Sequence, residues 1–590
     1  MNAATIEYIR RLKPAAHEDG RRLVEKGKEI GSSFEAPLTW YKGYKNHMEF
    51  KKACQREGKI YWCLLMGLAT LDDEVEAVKK IYEFQERTGF QLGSMLHIPS
   101  GNVALPGEYR ENAPKTTSFM LNGLDDWMAL RNAAPIDISL NDHHLVCPNS
   151  IETTVNALKA GAVRVGSFGQ FLWDYPGFTD DVKRYSDMVT SLGIMASKRD
   201  DMFAVETYLD DSFPGYFMDC ASYVGYALIE HYICTKLCGA RYVISFGGLL
   251  SEGHTRIAVA LALHELMGTE EQPVLTYING STNMQWDHDI DGNYGFAAQE
   301  MLLEICAEKK FHMSLGINPV SITEKIAVPT LQELLNIYCC GKRVEEKAEE
   351  WMDLINWDPI IEMKDVMVKE AKRYFKNAMD AFKEAGIDTE DPLEMLLMLK
   401  KFAPQKLEKA FHSSTVDGQN EEVIPFYPTV LGRQVNEMRD EIIDDLTRKG
   451  FLGSLKGKKI VVASGDAHAY GLQLIDGVLR AMGASTVNIG VDMDAVDVLD
   501  AADEDGTPYV GVSCHNGQAL DYGKQLLELA RERNNEYVIF MGGKLNTILP
   551  GDSEPTEVGD MLCDMGIQAD NDIRTTVRLI AGHEKKEDSL

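Results

Sequence analysis

Residues 458–483 read KKIVVASGDAHAYGLQLIDGVLRAMG, and this stretch decides the fold of the C-terminal part of the chain. The apolar run IVVAS predicts a buried strand, and the residues from Gly471 onward have the apolar spacing of a helix. In the loop between them, His468 follows Asp466 by two residues. A carboxylate at this distance can accept the proton on the far ring nitrogen of the imidazole and raise the basicity of the other nitrogen. Gly471 permits close approach of the backbone to a ligand.

The same alternation of strand and helix continues beyond this stretch. Further strands are predicted in STVNIG, PYVGVSC and YVIFMGG, each followed by a helix, with IQA as a short fifth strand. The pattern predicts a flavodoxin-like doubly wound domain over residues 456–590, with ligands bound at the carboxyl ends of its strands. Ser513 ends the third of these strands, and Gly542 and Gly543 end the fourth. We therefore expect these residues to lie near His468 at one edge of the sheet.

Residues 59–330 alternate short β-rich runs with longer helical segments. The eight runs predicted as strands are IYWCLLMG (60–67), FQLGSMLHI (90–98), PIDISLN (135–141), AVRVGSFG (162–169), GIMASKRD (193–200), RYVISFGG (241–248), PVLTYING (273–280) and FHMSLGINP (311–319). Eight strands, each followed by a helix, predict a (β/α)8 TIM barrel, and an open doubly wound sheet is the alternative.

Helical segments flank the predicted barrel. Residues 1–58 are predicted to be helical and polar, and residues 331–411 form an almost wholly helical appendage with apolar residues at i, i+3 and i+4. Residues 412–455 are predicted to be a linker. The fold class is therefore α/β, with an N-terminal barrel, a helical appendage and a C-terminal doubly wound domain.

Composition excludes several classes of protein. With 60 Lys and Arg against 91 Asp and Glu, the 590-residue chain has a formal net charge of −31, which disfavours binding to nucleic acid or to anionic membranes. The start of the chain has no apolar signal-peptide core, and no apolar run approaches the roughly 20 residues that span a bilayer. The 11 cysteines contain no C-x2-C pair and are expected to be reduced. We therefore expect a cytoplasmic protein.

The C-terminal motifs resemble those of the cobalamin-binding domain shared by adenosylcobalamin mutases and methionine synthase. That signature is D-x-H-x-x-G, then S-x-L, then G-G, and the spacings match; His515 stands in place of the Leu of S-x-L. The resemblance implies that His468 is the lower cobalt ligand, with Asp466 as its hydrogen-bond partner. It also implies that Ser513 bonds the displaced base of the cofactor and that Gly542 and Gly543 leave room for the nucleotide tail. Zinc fits less well, because it needs three or four N or S ligands together.

The predicted barrel resembles the catalytic subunit of glutamate mutase. The similar stretches are MLNG (120–123), CPNSIETTVNALKAGA (147–162), ASYVGYALIE…GAR (221–241) and ITEKIAVPT (322–330), with DPLEMLLMLKKFAPQKLEKAF after the barrel. The resemblance implies an adenosylcobalamin-dependent radical carbon-skeleton mutase, an isomerase. It places Glu324 where the family has a Glu that reaches the adenosyl ribose. Glutamate mutase usually divides the two domains between chains, whereas 2-methyleneglutarate mutase joins them as this chain does.

The substrate-binding residues of glutamate mutase do not carry over. Its three arginines, which hold the two substrate carboxylates, align with Met66, Gly101 and His144, and its amine-binding Glu aligns with Ser167. Met and Gly cannot replace a bidentate guanidinium. We therefore expect these four positions to line a substrate site for a small carboxylic acid other than glutamate and without an amine. Conversion of 2-methyleneglutarate to 3-methylitaconate is the candidate reaction, with Glu324 and His144 as catalytic residues.

Two alternatives remain open at this point. A corrinoid methyltransferase also pairs a barrel with a cobalamin domain, and a cobalamin-binding sensor would use the C-terminal domain without catalysis. The helices that resemble glutamate mutase argue against the first, and the net charge of −31 argues against a sensor that binds DNA. We expect the partners to be a small carboxylic acid and a second copy of the chain, in a homodimer.

Overall fold

The computed structural model describes residues 3–582, with gaps at 16, 111–117, 176, 248–252, 270–273, 281–288, 324–328, 414–422, 466–468, 491–492, 515–518, 534 and 548–555. The chain divides into two compact units, residues 1–430 and 431–590. No helix in the described part of the chain is both long enough and apolar enough to cross a membrane.

The first unit contains a closed barrel of eight parallel strands in sequential order, which confirms the predicted barrel over the open sheet. Each strand pairs with the next along the chain, and β1 pairs with β8 to close the barrel. The strands are β1 Tyr61–Met66, β2 Ser94–His97, β3 Ile138–Leu140, β4 Arg164–Val165, β5 Ala204–Tyr208, β6 Tyr242–Gly247, β7 Leu275–Asn279 and β8 Gly316–Asn318.

Helices surround this barrel and extend beyond it. Those before and around the strands are Ala3–Leu12, Gly20–Ser32, His47–Arg56, Leu71–Thr88, Gly107–Arg110, Leu124–Ala133, Ser150–Lys159, Asp181–Ser197, Cys220–His231, Gly253–Met267 and Ile290–Phe311. The predicted helical appendage consists of Leu331–Met352, Asp358–Glu384, Pro392–Lys400 and Pro404–Phe411. The main core lies between the outward faces of the strands and these helices.

The fifth strand of the barrel lies further along the chain than the sequence predicts. GIMASKRD, predicted as a strand, is the end of the helix Asp181–Ser197, and β5 is formed by AVETY further along. The reason is close helix packing: a Cβ on Gly193 would lie 2.2 Å from the carbonyl oxygen of Val24, so Gly193 lets two helix backbones touch. Lys198 and Arg199 therefore precede β5 and lie toward the amino end of the barrel.

A helix, His47–Arg56, covers the amino end of the barrel. Its His47 bonds through one ring nitrogen to Asp137, just before β3, at 2.8 Å and through the other to the Tyr61 hydroxyl of β1 at 2.7 Å. Its buried Lys51 donates to the carbonyl oxygen of Leu275 at the start of β7. The barrel is therefore closed at this end by hydrogen bonds to three different strands or their approaches.

The described part of the predicted linker, residues 412–455, contains hydrogen bonds to the first unit and a helix. Within it, His412 bonds to Asp219 at 2.7 Å, and the backbone N–H of Thr429 donates to the carbonyl oxygen of Met218 at 3.0 Å. The helix Val430–Arg448 follows and accounts for most of the remainder. The described residues from 412 to 429 are therefore part of the first unit.

The second unit is a five-stranded parallel sheet with helices, as predicted. Its strand order is β10-β9-β11-β12-β15, the order of flavodoxin-like domains. The strands are β9 Lys459–Ser464, β10 Ser485–Gly490, β11 Tyr509–Cys514, β12 Val538–Gly543 and β15 Gln568–Ala569, with a small antiparallel pair, β13 Asn546–Thr547 and β14 Thr556–Glu557. The helices are Val430–Arg448, Ala469–Ala481, Ala495–Glu504, Ala519–Arg533, Gly559–Asp564 and Ile573–Ile580.

Candidate functional site

The carboxyl edge of the second sheet brings together the motif residues that the structure describes. Ser513 on β11 is the register partner of Ser464 on one side and of Gly542 on the other, and Cys514 is the partner of Gly543. The strand order reverses between β9 and β11, where ligands of such sheets bind. Asp466 and His468 lie outside the described residues, and their predicted roles stay predictions. The loop that carries them leaves from Ser464, beside Ser513.

Hydrogen bonds hold the start of that loop against β11. The backbone N–H of Gly465 donates to the carbonyl oxygen of Ser513 at 2.9 Å, and the Ser464 hydroxyl donates to the same oxygen at 3.2 Å. Gly471 lies in the first turn of the helix Ala469–Ala481, which begins directly after the loop. The described residues on either side of 466–468 are therefore fixed, by hydrogen bonds to β11 before the loop and by a helix after it.

The side chains along this edge are small, and neighbouring atoms leave little room for a side chain at Gly542 or Gly465. A Cβ on Gly542 would lie 3.0 Å from the carbonyl oxygen of Asp570, and one on Gly465 would lie 3.0 Å from the ring of Tyr522. Gly543 has a φ of 105°, which residues with side chains rarely adopt. An edge made of Ser, Cys and Gly keeps side-chain volume small, as a large ligand that lies along the backbone requires.

At its carboxyl end, the interior of the barrel is lined mainly by uncharged side chains, several of them polar. Strand alternation places Leu140, Val165 and Val205 in the outer core, so the residue after each of them faces the interior. The inward-facing residues at this end include Leu65, Ile98, Asn141, Gly166, Tyr208, Asn279 and Asn318. Asn318 donates to Asn279 at 2.6 Å, and the Tyr208 hydroxyl donates to the carbonyl oxygen of Gly247. None of these seven residues carries a positive charge.

Two arginines near the interior, Arg164 and Arg256, have carboxylate partners. One layer below the opening, Arg164 is fully buried and bonds to Ser139 at 3.0 Å, to Ser94 at 2.9 Å and to Glu206 at 3.4 Å. Arg256, close to Gly247 at the end of β6, lies 2.8 Å from a carboxylate oxygen of Glu304. Burial raises the pKa of Glu304 to about 8, although Arg256 opposes this. Neither guanidinium is placed to clamp a substrate carboxylate without giving up its present partner.

Two carboxylates share one amide above β3 and β5. The Gln170 Nε2 donates to Asp142 at 2.7 Å and to Asp211 at 3.4 Å. Burial raises the pKa of Asp142 to about 6. Burial, and then the nearby Asp142, raise the pKa of Asp211 well above its usual value. The pair therefore tends to hold a proton at neutral pH. No sequence pattern links the two residues, because they are 69 positions apart.

His144 is buried inside the loop after β3 rather than at the opening. One ring nitrogen lies 2.6 Å from the carbonyl oxygen of Asp142, and the other accepts from the Trp127 indole at 3.3 Å. Burial lowers the pKa of His144 to about 4, so the ring is neutral. Both nitrogens are engaged by the protein, which favours a structural role; its catalytic role stays a prediction that this geometry does not support.

The other three predicted substrate positions have different surroundings. Met66 is buried in the core between strands and helices, facing away from the interior, and Leu65 takes the inward place beside it. Ser167 is buried, and its hydroxyl accepts from the backbone N–H of Tyr208 at 2.9 Å, so it joins β4 to β5. Gly101 lies at the rim, where a Cβ would be 3.5 Å from His143. The structure does not bring these positions together into one substrate site.

Glu324, the predicted contact to the adenosyl ribose, lies outside the described residues. In the described part of the chain, no group of three or more His, Cys, Asp or Glu side chains is arranged to hold a metal ion. The sequence does not show that Arg164 pairs with Glu206. A charged residue inside an apolar run does indicate that each side chain is buried with a partner.

Comparison with known proteins assigns the second unit. A search of curated proteins finds no match to the chain. Residues 459–566 match the family described as the B12 binding domain, a range that begins with β9 and includes Ser513, Gly542 and Gly543. The C-terminal part of this chain is therefore a B12 binding domain, attached to an eight-stranded parallel barrel.

Proposed function

We propose that this protein is an adenosylcobalamin-dependent carbon-skeleton mutase, an isomerase that acts on a small carboxylic acid. The observation that carries the proposal is the presence, on one chain, of a closed (β/α)8 barrel and a B12 binding domain. The resemblance of the barrel sequence to the catalytic subunit of glutamate mutase supports the choice of reaction class. We also propose that the protein is a homodimer and that it acts in the cytoplasm.

When bound, adenosylcobalamin supplies a carbon radical from the cleavage of its cobalt–carbon bond. The residues that would hold it are Ser513, Gly542 and Gly543 at the sheet edge, and His468 as the cobalt ligand with Asp466 behind it. Ser464 and Gly465 hold the start of the His468 loop by bonding to β11.

The barrel would protect a reactive substrate from water. Its amino end is covered by the helix His47–Arg56, and its interior is filled by buried side chains that include Arg164 and Glu206. The carboxyl end is lined by amides and a phenol, which can orient a substrate through neutral hydrogen bonds. Exclusion of water prevents the loss of a reactive intermediate to side reactions.

The test is turnover by the purified full-length chain with either adenosylcobalamin or methylcobalamin, in the absence of oxygen. The substrates are small carboxylic acids that include 2-methyleneglutarate, and products are followed by proton NMR. We expect an isomer of the added acid to form with adenosylcobalamin only. Methyl transfer from methylcobalamin to a thiol or a pterin would assign the protein to the corrinoid methyltransferases instead.

A matched pair of histidine variants sharpens this test. His468→Ala should abolish turnover, because it removes the proposed cobalt ligand. His312→Asn, at an exposed helix end with a left-handed backbone that Asn also adopts, should leave turnover unchanged. Equal activity of the two variants would contradict the assignment of the cobalamin site.

A further inference from the structure

We propose that residues 426–429, called the strap from here on, form a releasable contact at the end of the first unit. When the strap is bound, the chain leaves the first unit next to residue 431, where the second unit begins. When the strap is released, a longer stretch of chain joins the two units. The proposal concerns a conformational device in the fold, goes beyond the proposed function and does not depend on it.

The strap binds by adding a short extended segment to the backbone that precedes the helix Cys220–His231. Asp219 and Pro428 form an antiparallel bridge. The backbone N–H of Cys220 donates to the carbonyl oxygen of Tyr427 at 2.9 Å. Backbone hydrogen bonds of this kind tie the middle of the strap to the start of the helix.

Thr429 ties the end of the strap to the same segment. Its backbone N–H donates to the carbonyl oxygen of Met218 at 3.0 Å, and its hydroxyl donates to the carbonyl oxygen of Phe217 at 2.9 Å. Water can replace each of these bonds when the strap leaves, so opening does not strand the backbone groups of residues 217–220 without partners.

One buried carboxylate holds the strap and two other groups at once. Asp219 is 0% exposed, and its Oδ1 accepts from the backbone N–H groups of Tyr427 at 3.1 Å and of Ala221 at 3.2 Å. Its Oδ2 lies 2.7 Å from Nε2 of His412. Asp219 therefore caps the helix that follows it and binds the strap through the same oxygen.

A second buried carboxylate makes the closed arrangement costly. Glu408 is 2% exposed and accepts from the backbone N–H groups of Asp219 at 3.0 Å and of Met218 at 2.9 Å. Burial, opposed by the bond from Met218, raises the pKa of Glu408 to about 7, and the nearby Asp219 adds to the rise. Two carboxylates thus share the single imidazole of His412 out of contact with water. Opening of the strap uncovers an oxygen of Asp219 and relieves part of this cost.

Little apolar burial opposes that opening. Ile424, just before the strap, is 51% exposed, and Phe426 is 36% exposed, although its ring stacks on His412 with the centroids 5.4 Å apart. Segments with few buried apolar contacts open at a lower free energy than the core does. The bonds from Glu408 hold residues 218 and 219 independently of the strap, so the first unit keeps its structure when the strap leaves.

Release of the strap changes the length of chain between the two units. Before the strap, the Ser413 hydroxyl donates to a carboxylate oxygen of Glu370 in the helix Asp358–Glu384. The 16 residues from 414 to 429 then separate this bond from the helix Val430–Arg448, and at about 3.4 Å per residue they can span up to about 55 Å. A longer connection lowers the effective concentration of one unit at the other. Binding of the strap therefore controls how closely the second unit is tethered.

Native-state hydrogen exchange of the full chain, followed by mass spectrometry in low concentrations of urea, tests whether the strap opens separately. The amides of Tyr427 and Thr429, and that of Cys220 opposite them, should exchange about a hundredfold or more faster than those of β1, at a rate that hardly depends on urea. Exchange as slow as that of β1 would mean that the strap opens only when the first unit unfolds. Exchange without any protection would mean that the strap is not bound in solution. Either result would overturn the proposal.

Distances between spin labels test the effect on the tether. Cys339 in the first unit and Cys563 in the second are exposed and can carry nitroxides, with Cys340→Ser to restrict the labelling. In this background, Tyr427→Pro removes the N–H that bonds to Asp219 and changes no core residue.

Double electron–electron resonance should show a broader distribution of distances for Tyr427→Pro than for the unsubstituted strap. The matched control is Ile424→Ala, at an exposed side chain of the same segment, which should leave the distribution unchanged. The melting temperature of the first unit should be the same in both variants. Identical distributions for Tyr427→Pro and its parent would overturn the proposal.

These results are separable from those that test the proposed function. Both measurements use the protein without cobalamin or substrate, so a strap that opens would be established even if adenosylcobalamin supports no isomerisation. Isomerisation by the full chain, together with strap amides that exchange as slowly as those of β1, would leave the mutase standing and remove the strap.

Discussion

Replacement of Asp142 by Asn should change how the stability of the barrel depends on pH. Asp142 shares the Gln170 amide with Asp211, and burial raises the pKa of Asp142 from 3.8 to about 6. The folded protein therefore binds a proton at this carboxyl more tightly than the unfolded chain does. Stability is greatest below the unfolded pKa, falls as pH rises toward 6, and stays lower above it. The asparagine variant has no such loss, because its amide oxygen still accepts from Gln170.

The size of the effect follows from the shift in pKa. A difference of about 2 units corresponds to about 3 kcal/mol of unfolding free energy, at 1.36 kcal/mol per unit. Because Asp142 and Asp211 titrate together, this is the upper end of the expected gain. Asp142→Asn should match the wild type near pH 4 and exceed its unfolding free energy by up to about 3 kcal/mol at pH 8. Loss of the Asp142 charge should also lower the pKa of Asp211.

The assay is urea-induced unfolding of the full chain, followed by circular dichroism at pH values from 4 to 8. The matched control is Asp200→Asn, at an exposed position near the other end of the barrel, which should run parallel to the wild type at every pH. A constant difference between Asp142→Asn and the wild type across this range would refute the argument, because it would mean that Asp142 is ionised with an ordinary pKa in the folded protein.

Three further predictions concern the ligands. His468→Ala should weaken cobalamin binding and remove the histidine nitrogen coupling from the electron paramagnetic resonance spectrum of the cob(II)alamin form; coupling to the cofactor's own base in the wild type would contradict it. Gly543→Ala should raise the Kd for cobalamin about tenfold, or about 1.4 kcal/mol, because strain at its φ of 105° would shift the backbone at the end of β12, where the cobalamin site is proposed. Gly566→Ala, with a φ of 104° and open space around it, is the control and should leave the Kd unchanged in the same titration. L-glutamate should be a poor substrate beside 2-methyleneglutarate, because Ser167, at the position aligned with the amine-binding Glu, cannot neutralise the ammonium of glutamate, and an unpaired buried charge is costly; efficient formation of 3-methylaspartate would contradict this.

The architecture could be predicted where local pattern and tertiary structure agree. The apolar runs that end in Met66 and Gly247 are buried on both faces, as parallel strands are, and so they stand out in the sequence. The strand β5 does not stand out, because its central Glu206 is charged. Its burial depends on Arg164, which lies 42 residues earlier, and no local sequence pattern pairs the two residues. The run GIMAS resembles a strand in sequence because Gly193 suggests that the preceding helix ends in a turn. In the structure, Gly193 instead allows two helices to pack closely, and the helix continues.

The candidate site was predictable to different degrees in the two units. Ser513, Gly542 and Gly543 were placed correctly at one edge, because strand ends in a parallel sheet are set by topology. The barrel positions were harder, because a slip of one residue exchanges the inner and outer faces of a strand. Met66 and its neighbour Leu65 illustrate this, because Met66 faces the helices and Leu65 faces the interior.

The covered amino end of the barrel has a consequence for how a small molecule would reach the interior. Hydrogen bonds from His47 and Lys51 to the beginnings of three strands close that end. A small molecule would then enter and leave through the carboxyl end. One molecule must therefore leave before the next can enter, and any group that narrows the carboxyl end would slow entry and release together.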